Sequence, residues 1–296
     1  MISRRIRNGH QAPRWPFALR QDSEIASKVR VYWPGIAGAE NIVLINPGAD
    51  VITPINDPGY IDQGDHIAVT VTPTSTQYFQ MLAGAAMRPA PPFSMAIWVK
   101  SDSTATTRAV MANDGGANPA SDYNYSGAFF TYGFASGTNT TTIHAWAGDN
   151  AGAGAGNRKT RAASETRAAG TLVCVSGDFY GGSIAPDIYL DGEQKNGTAS
   201  GTASSLTYRT PGYVNIGALG QGLASNWTTF FGSLSRAAIY GGLLTSAEHA
   251  ELYVRPWGIL EEYGRRTYFI PAAAGGGGGF QPAWARNSNR VIGIAA

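Results

Sequence analysis

The stretch 230-FFGSLSRAAIYGGLLTSAEHAELY-253 predicts a strand, a turn and a short helix, in that order. Thr245 is a suitable N-cap, and Glu248 follows three residues later, as a capping box requires. Pro256 then ends the helix. His249 follows Glu248 directly, but sequence neighbours do not face each other on a helix. We therefore expect His249 to lie on a solvated helix face rather than to form an acid–base pair.

The chain before this stretch consists of short alternating segments separated by turn residues, about a dozen strands in all. Examples are "KVRVYWPG" (28–35) and "HIAVTVTP" (66–73), and Asp191-Gly192 predicts a hairpin turn. The segment "DNAGAGAGNRKTRAAS" (149–164) is expected to be a flexible, exposed loop. Charged residues make up only 14% of the chain, Gly is abundant, and no helices alternate with the strands. The pattern favours an antiparallel sandwich or jelly roll over a βαβ fold.

Three motifs, in this order along the chain, resemble laminin-G-like domains. They are "FSMAIWVKSD" (93–102), "GTLVCVSGDFYGGSIAPDIYLDGEQKNG" (170–197) with its "YLDG" turn, and "VNIGALG" (214–220) followed by the opening stretch. The similarity covers roughly residues 60–254 and identifies the chain as a member of the laminin-G-like/concanavalin A-like lectin and glucanase superfamily. This resemblance implies a two-sheet antiparallel jelly roll.

The predicted fold is all-β: an antiparallel two-sheet jelly-roll sandwich with one short C-terminal helix and extended N- and C-terminal arms. We divide the chain into a basic arm (1–27), the jelly roll (28–254) and a C-terminal extension (255–296). The extension contains the flexible linker Gly275 to Gly279.

Charge is distributed unevenly along the chain. Residues 1–30 hold seven basic and two acidic side chains, and residues 255–296 hold five basic and two acidic ones. Residues 31–254 hold ten basic and sixteen acidic side chains. Basic ends on an acidic body favour arms that meet acidic protein surfaces or nucleic acid, with solvated tails as the alternative. Large aromatic residues at both ends favour arms, and the predicted partner-binding residues are Arg4, Arg5, Arg7, Arg14, Trp15, Phe17, Arg265, Arg266, Phe280, Trp284, Arg286 and Arg290.

The two ends carry a second resemblance. "WPFALRQDSEIASKVRVYWPG" (15–35), "RPWGILEEYGRRTYF" (255–269) and "AWARNSNRVIG" (283–293) are similar to terminal segments of laminin-G-like proteins encoded by tailed bacteriophages and prophages. This resemblance implies a virion structural protein. The N-terminus has no apolar h-region, so no signal peptide is predicted, and no apolar run reaches the length of a membrane span.

No catalytic residues are predicted. Glycoside hydrolysis needs two facing carboxylates, and the related glucanases carry theirs on one strand, a pattern that is missing here. Asp191 and Glu193 have the spacing but flank a turn. Cys174, alone in an apolar run, is predicted to be a core residue rather than a nucleophile.

No metal site or cofactor is predicted either. Two Asp-rich loops have the oxygen ligands that Ca²⁺ prefers, but Asp and Asn also build turns, and we favour the turn interpretation. The residues concerned are Asp57, Asp62, Asp65, Asp114 and Asp122.

Glycan binding is a separate possibility. "NYSGAFFTYG" (124–133) and "SNWTTFF" (225–231) supply aromatics and Asn residues of the kind that lectin sites use, although aromatics in a sandwich are more often core.

The leading functional hypothesis is a non-enzymatic virion protein of a tailed bacteriophage, most specifically a capsid decoration or cement protein. Its arms would bind neighbouring virion subunits, either the major capsid protein or tail proteins, and the chain would form a homo-oligomer. One alternative is a tail-associated adhesin that binds host surface glycan, and the other is a glycoside hydrolase. No membrane partner is expected.

Overall fold

The computed structural model describes residues 17–35, 42–45, 48–55, 58–62, 67–71, 77–101, 107–115, 125–134, 139–152, 154–219 and 230–262. Within these residues the helices are α1 (Glu24–Lys28) and α2 (Ser246–Val254). The strands are β1 (Phe17–Leu19), β2 (Val29–Trp33), β3 (Ile42–Ile45), β4 (Gly48–Val51), β5 (Thr53–Ile55), β6 (Gly59–Asp62), β7 (Ile67–Val71), β8 (Tyr78–Leu82), β9 (Phe93–Ser101), β10 (Arg108–Gly115), β11 (Ser126–Phe134), β12 (Thr140–Asp149), β13 (Arg158–Thr166), β14 (Leu172–Phe179), β15 (Asp187–Leu190), β16 (Glu193–Gln194), β17 (Ala199–Gly201), β18 (Tyr213–Ile216), β19 (Gly232–Tyr240) and β20 (Leu260–Glu262).

The strands form two large antiparallel sheets. One has eight strands in the order β17-β13-β12-β11-β10-β18-β8-β5. The other has ten strands, with the path β16-β15-β14-β9-β19-β2-β3-β4, and β7 joins it by pairing with β19 and β6. A small third sheet pairs β1 with β20. The predicted antiparallel two-sheet jelly roll with a short C-terminal helix is confirmed.

The main core lies between the two large sheets and is rich in aromatic side chains. The Phe179 ring lies 5.2 Å from Phe93 and 5.5 Å from Phe130, and Trp33 packs 4.9 Å from Phe79. All five side chains are fully buried. Burying one such side chain contributes roughly 1.5–3 kcal/mol, so this layer supplies the main force that holds the sheets together.

A second core covers the outer face of the ten-stranded sheet. Trp98 and Cys174 project from that face and pack with Ile25 of α1, Leu252 of α2 and Trp257. Cys174 is fully buried, as predicted, and burial raises the pKa of its thiol well above the usual value. The helices and the segment after α2 therefore seal this face of the sandwich.

A buried arginine lies inside the second core. Arg236, only 1% exposed, stands at a register shift in β19 with a positive φ of 51°. Its guanidinium lies 4.6 Å from the Trp98 ring and 4.8 Å from the Trp257 ring, within cation–π range of both. The bulge thus places a cation between the sheet and the segment that follows α2.

The division of the chain at residues 27 and 255 stays a prediction, but described residues outside both boundaries pack on the sandwich. Helix α1, which the sequence did not predict, buries Ile25 and Ala26. Trp257 is fully buried, and Leu19 of β1 stands opposite Leu260 of β20. Residues 17–28 and 255–262 therefore contribute to the packed unit.

Helix α2 has the capping box that the sequence predicts. The Thr245 hydroxyl accepts the Glu248 N–H at 3.2 Å, and a Glu248 carboxylate oxygen accepts the Thr245 N–H at 2.6 Å. Glu248 also pairs with the Lys28 ammonium at 2.5 Å. Burial alone would raise the pKa of Glu248, but Lys28 and the cap hydrogen bonds outweigh it and hold that pKa below its ordinary value.

The expectation that His249 lies on a solvated helix face is wrong, because the side chain is completely buried. Its Nε2 lies 3.2 Å from an Asp178 oxygen, its Nδ1 lies 2.8 Å from the Ser176 hydroxyl, and its ring stacks 3.7 Å from Tyr189. Since a carboxylate only accepts, Nε2 carries the hydrogen, and in the neutral imidazole Nδ1 accepts from Ser176. The Ser94 hydroxyl donates to the same Asp178 oxygen. These hydrogen bonds and the ring contact hold α2 against the ten-stranded sheet.

The predicted hairpin turn at Asp191-Gly192 is confirmed, with Leu190 opposite Glu193 and positive φ values of 52° and 81° at the two turn residues. Asp191 accepts the Cys174 N–H at 2.9 Å and pairs with Arg167 at 2.5 Å. Gly192 lies directly under α2, where an added Cβ would come within 2.6 Å of the Ala250 Cα. Helix α2 therefore packs directly on the "YLDG" turn.

We expect His249→Phe to lower the free energy of unfolding by about 2–4 kcal/mol. The phenyl ring keeps the stack on Tyr189 but leaves the buried Asp178 carboxylate without its nitrogen donor. Chemical denaturation measures the change. Glu251→Ala, at an exposed position on the same helix, serves as the control and should stay within about 0.5 kcal/mol of the wild type. Equal stability of the two variants would contradict a stabilising role for the network.

Gly192→Ala should destabilise the protein by about 2 kcal/mol or more, because it adds a side chain at positive φ and against backbone. Gly242→Ala is the matched control, since nothing lies within 4 Å of a Cβ at that position. Thermal unfolding of both variants checks this. A Gly192 variant as stable as the Gly242 variant would show that α2 does not need the close approach.

Candidate functional site on the eight-stranded sheet

The outer face of the eight-stranded sheet carries a row of side chains that crosses the whole sheet. Residues directly opposite each other on antiparallel strands share a face, so the register defines the row. We call it the outer row: Ser200, Thr160, Trp146, Phe129, Ala112, Asn215, Gln80 and Thr53. A small apolar cluster of Ala109, Ala112, Phe129, Trp146 and Leu219 occupies its centre.

One end of the outer row is closed by amide hydrogen bonds. The Gln80 side-chain N–H donates to the Asn215 side-chain oxygen at 3.1 Å. The Asn215 side-chain N–H donates to the Leu219 main-chain oxygen at 2.7 Å. Asn215 is completely buried. These groups fix the packing of β8, β18 and the chain that follows β18.

The part of the row from its centre towards β13 holds aromatic rings and a cation. The Trp146 indole stacks on Phe129 with ring centroids 5.5 Å apart and an angle of 5° between the planes. His144, two residues along β12, packs against Trp146 at 5.4 Å. The Arg158 guanidinium lies 4.3 Å from the Trp146 ring and 4.8 Å from the Tyr125 ring. We call these five residues the aromatic–cationic cluster.

The aromatic–cationic cluster reaches solvent on the side of β13. Tyr125, His144 and Arg158 are half-buried, whereas Trp146 is 9% exposed and Phe129 only 1%. Alternation along β13 places Arg158, Thr160, Ala162 and Ser164 on the outer face, and the last of these is exposed. The partly exposed groups on this face are therefore polar or aromatic, and the Trp146 and Phe129 rings are buried beneath them.

The positive charge of the cluster comes from the Arg158 guanidinium. Burial, and then the nearby Arg158 charge, lower the pKa of His144 below its ordinary value. Burial also lowers the pKa of the Arg158 guanidinium. The Thr131 hydroxyl lies 3.1 Å from His144 Nδ1 and orients the imidazole. The cluster thus combines hydrogen-bond donors, a cation and flat apolar rings. Such groups can bind a ligand that has both hydrogen-bonding groups and an apolar face.

The sequence did not predict Arg158 as a site residue. It lies in the segment 149–164 that was expected to be a flexible loop, but residues 158–166 form β13, which pairs with β12 over nine residues. The loop prediction was wrong there because β13 carries few apolar side chains: its outer-facing positions are polar or small. In the sequence, the alternation of Thr160, Ala162 and Ser164 with Ala163 could have indicated this strand.

The predicted aromatic stretch 124–133 divides between the two faces. Phe129 lies in the outer row, whereas Phe130 and Tyr132 belong to the core between the sheets. In the stretch 225–231, residues 225–229 lie outside the described residues and Phe230 is a core residue. Tyr125 is partly exposed, whereas Phe129, Phe130, Tyr132 and Phe230 are all buried, so most of the described aromatics in these stretches are packing residues.

The predicted arm residues lie outside the described residues, except Phe17, whose backbone begins β1. Of the acidic residues weighed for Ca²⁺, Asp57, Asp65 and Asp122 also lie outside them. Asp114 is buried, pairs with Arg88 at 2.8 Å and accepts the Arg209 N–H at 2.7 Å. Burial raises the pKa of Asp114 in spite of these partners. Its carboxylate thus serves a structural ion pair.

Among the described residues, no three His, Cys, Asp or Glu side chains are grouped as a metal ion would require. In the same part of the chain, no helix is long and apolar enough to cross a membrane.

A jelly-roll sandwich of two antiparallel sheets is the architecture of many lectin domains. The family model described as the concanavalin A-like lectin/glucanases superfamily matches residues 64–248, more than half of the chain. The chain belongs to this superfamily, and the predicted membership is confirmed. No curated protein matches the sequence.

Several solved structures are similar to this chain. The receptor-binding domain of botulinum neurotoxin type G is 13% identical, with a TM-score of 0.50 over 76% of this chain and 51% of that one. A Trypanosoma rangeli sialidase in complex with 2,3-difluorosialic acid is 10% identical, with a TM-score of 0.53 over 78% of this chain and 33% of that one. Domain 4 of an extracellular arabinanase from Geobacillus stearothermophilus, in complex with arabinotriose, is 14% identical, with a TM-score of 0.47 over 76% and 98%.

The chain spans about half of the toxin domain and a third of the sialidase. At these identities the likeness shows the fold alone.

Proposed function

We propose that this chain is a non-catalytic glycan-recognition domain that binds sugar on the outer face of the eight-stranded sheet. The observation that carries the proposal is the aromatic–cationic cluster, in which Tyr125, His144 and Arg158 form one partly exposed surface over the buried Trp146 ring. Sugar rings present apolar faces and hydroxyl edges, so they fit a surface of aromatic planes beside hydrogen-bond donors. Membership in a superfamily of lectins and glucanases agrees with this.

Recognition fits this face better than hydrolysis does. The outer-facing side chains of β11, β12 and β13 at the cluster are aromatic, hydroxyl, imidazole and guanidinium groups, whereas glycosidases place two carboxylates across the scissile bond. On these strands, Asp149 accepts the Ala151 N–H at 2.9 Å, and Glu165 pairs with Arg167 at 3.1 Å. Both carboxylates serve the local structure, which supports a binding domain rather than an enzyme.

The double change His144→Ala and Trp146→Ala should weaken glycan binding by about tenfold or more, since aromatic residues at the centre of an interface contribute most of its affinity. The measurement is a glycan array with the full chain, followed by calorimetric titration of the glycans that bind. Tyr253→Ala removes an aromatic ring that is 45% exposed on α2, at the ten-stranded sheet, and is the control that should keep full affinity. Binding to no glycan, or binding that tolerates the double change, would contradict the proposal.

We further propose that the domain is carried on the virion of a tailed bacteriophage and that its basic, aromatic arms attach it to neighbouring virion proteins. The supporting observation is the charge distribution, with basic ends on an acidic body. A homo-oligomer with arms on adjacent subunits would act as a capsid decoration protein. The same arms on a tail would display the glycan-binding face to a host cell.

Deletion of residues 1–16 or of 263–296 should abolish attachment to particles but leave the fold intact. These limits matter because Ile25 and Trp257 are buried in the second core, so longer deletions would unfold the domain. Particles lacking the protein are incubated with each variant and sedimented, and thermal unfolding of each free variant is the control. Co-sedimentation of both truncated proteins at wild-type levels would refute arm-mediated attachment.

A further inference from the structure

Arg158 packs on two aromatic rings, as Arg236 does, but it is partly exposed, whereas Arg236 is buried. Arg88, Arg161 and Arg167 each lie within 4 Å of a carboxylate, at 2.8, 3.7 and 2.5 Å from Asp114, Asp187 and Asp191 respectively. Among the described residues no carboxylate reaches the Arg158 guanidinium, and its contacts are the rings of Tyr125 and Trp146. Arg158 is therefore a half-buried cation held by aromatic faces.

Backbone packing fixes the position of this cation. Arg158 stands opposite Gly148 on β12, and an added Cβ at Gly148 would lie 2.0 Å from the Tyr125 carbonyl carbon. The glycine thus lets the chain before β11 cross over β12 and place the Tyr125 ring beside Arg158. The Asn150 N–H donates to the Tyr125 carbonyl oxygen at 2.8 Å and holds this crossing. The guanidinium is oriented before any ligand arrives.

Aromatic faces attract a guanidinium but do not satisfy its N–H donors. The group has five donors in a planar fork, and partial burial raises the cost of leaving them unbonded. A carboxylate or a sulfate accepts two of these hydrogen bonds at once and supplies the opposite charge. His144 lies on the same face, next to Trp146, and its imidazole is a further hydrogen-bonding group beside Arg158.

We infer that the glycan bound by this face carries an acidic group, a carboxylate or a sulfate, and that Arg158 selects it. This inference rests on the proposed function, because it names the class of glycan for the same site. The sugar ring lies against the aromatic–cationic cluster, and its acidic group accepts hydrogen bonds from the Arg158 fork.

The test uses a glycan array of matched pairs, each an acidic glycan beside its neutral form, in which the carboxyl group is reduced or the sulfate removed. The full-length chain is expected to bind the acidic members about 10- to 100-fold more tightly, the range for one charge-assisted contact. A preference confined to carboxylates or confined to sulfates supports the inference and identifies the group. Equal binding of acidic and neutral members overturns it while leaving the proposed function intact, and binding of no glycan overturns both.

Variants at position 158 link the preference to the residue. Arg158→Met keeps the length of the stem against both rings and should reduce acidic binding to the neutral level. Arg158→Lys keeps the charge without the fork and should retain only part of the preference. Arg255→Met, at an exposed position just after α2, is the control and should behave as the wild type. An Arg158→Met protein that unfolds like the wild type but keeps the full preference would overturn the role of Arg158.

Discussion

The buried carboxylate of Asp178 imposes the constraint on which the arrangement of this domain depends. A charge that is 2% exposed must be hydrogen-bonded, and its donors come from the sheet, through Ser94, and from the helix, through His249. If either element moves, the carboxylate loses one of these two donors. Because Gly192 allows α2 to approach the hairpin, the ring of His249 also reaches Tyr189. One outer face of the sandwich is thereby covered by its own helix, and the aromatic–cationic cluster lies on the other sheet.

The same closure determines where the packed unit ends. Arg236 lies between Trp98 of the sheet and Trp257 of the segment after α2, and α1 inserts Ile25 into the same layer. A cation enclosed by two indoles contributes only where the rings stay in place, so the segment and the sheet stabilise each other. Residues 17–28 and 255–262, on either side of the jelly roll, thus contribute to the packed core of the domain. Any attachment function belongs to the residues further out.

Local signals in the sequence predicted much of the fold but little of the site. The capping box at Thr245 and Glu248 and the turn at Asp191-Gly192 each lie within a few residues, so both could be identified from the sequence. The burial of His249 depends on Asp178, 71 residues earlier in the chain, and was not predictable from helix periodicity. The outer row depends on the register of seven neighbouring strand pairs, which no local pattern specifies. Arg158 was missed for the same reason, since its environment is formed by Trp146 of β12 and by Tyr125.

The charge of the domain bears on how an acidic glycan would be selected. Residues 31–254 hold six more acidic than basic side chains, so the body repels a polyanion at long range. This repulsion is screened beyond about 8 Å at physiological ionic strength, whereas a contact at Arg158 acts at hydrogen-bond distance. Selection must therefore come from contact at the cluster and not from electrostatic steering. A guanidinium held between aromatic rings suits that task, because its donors are already oriented and little entropy is lost when they bind.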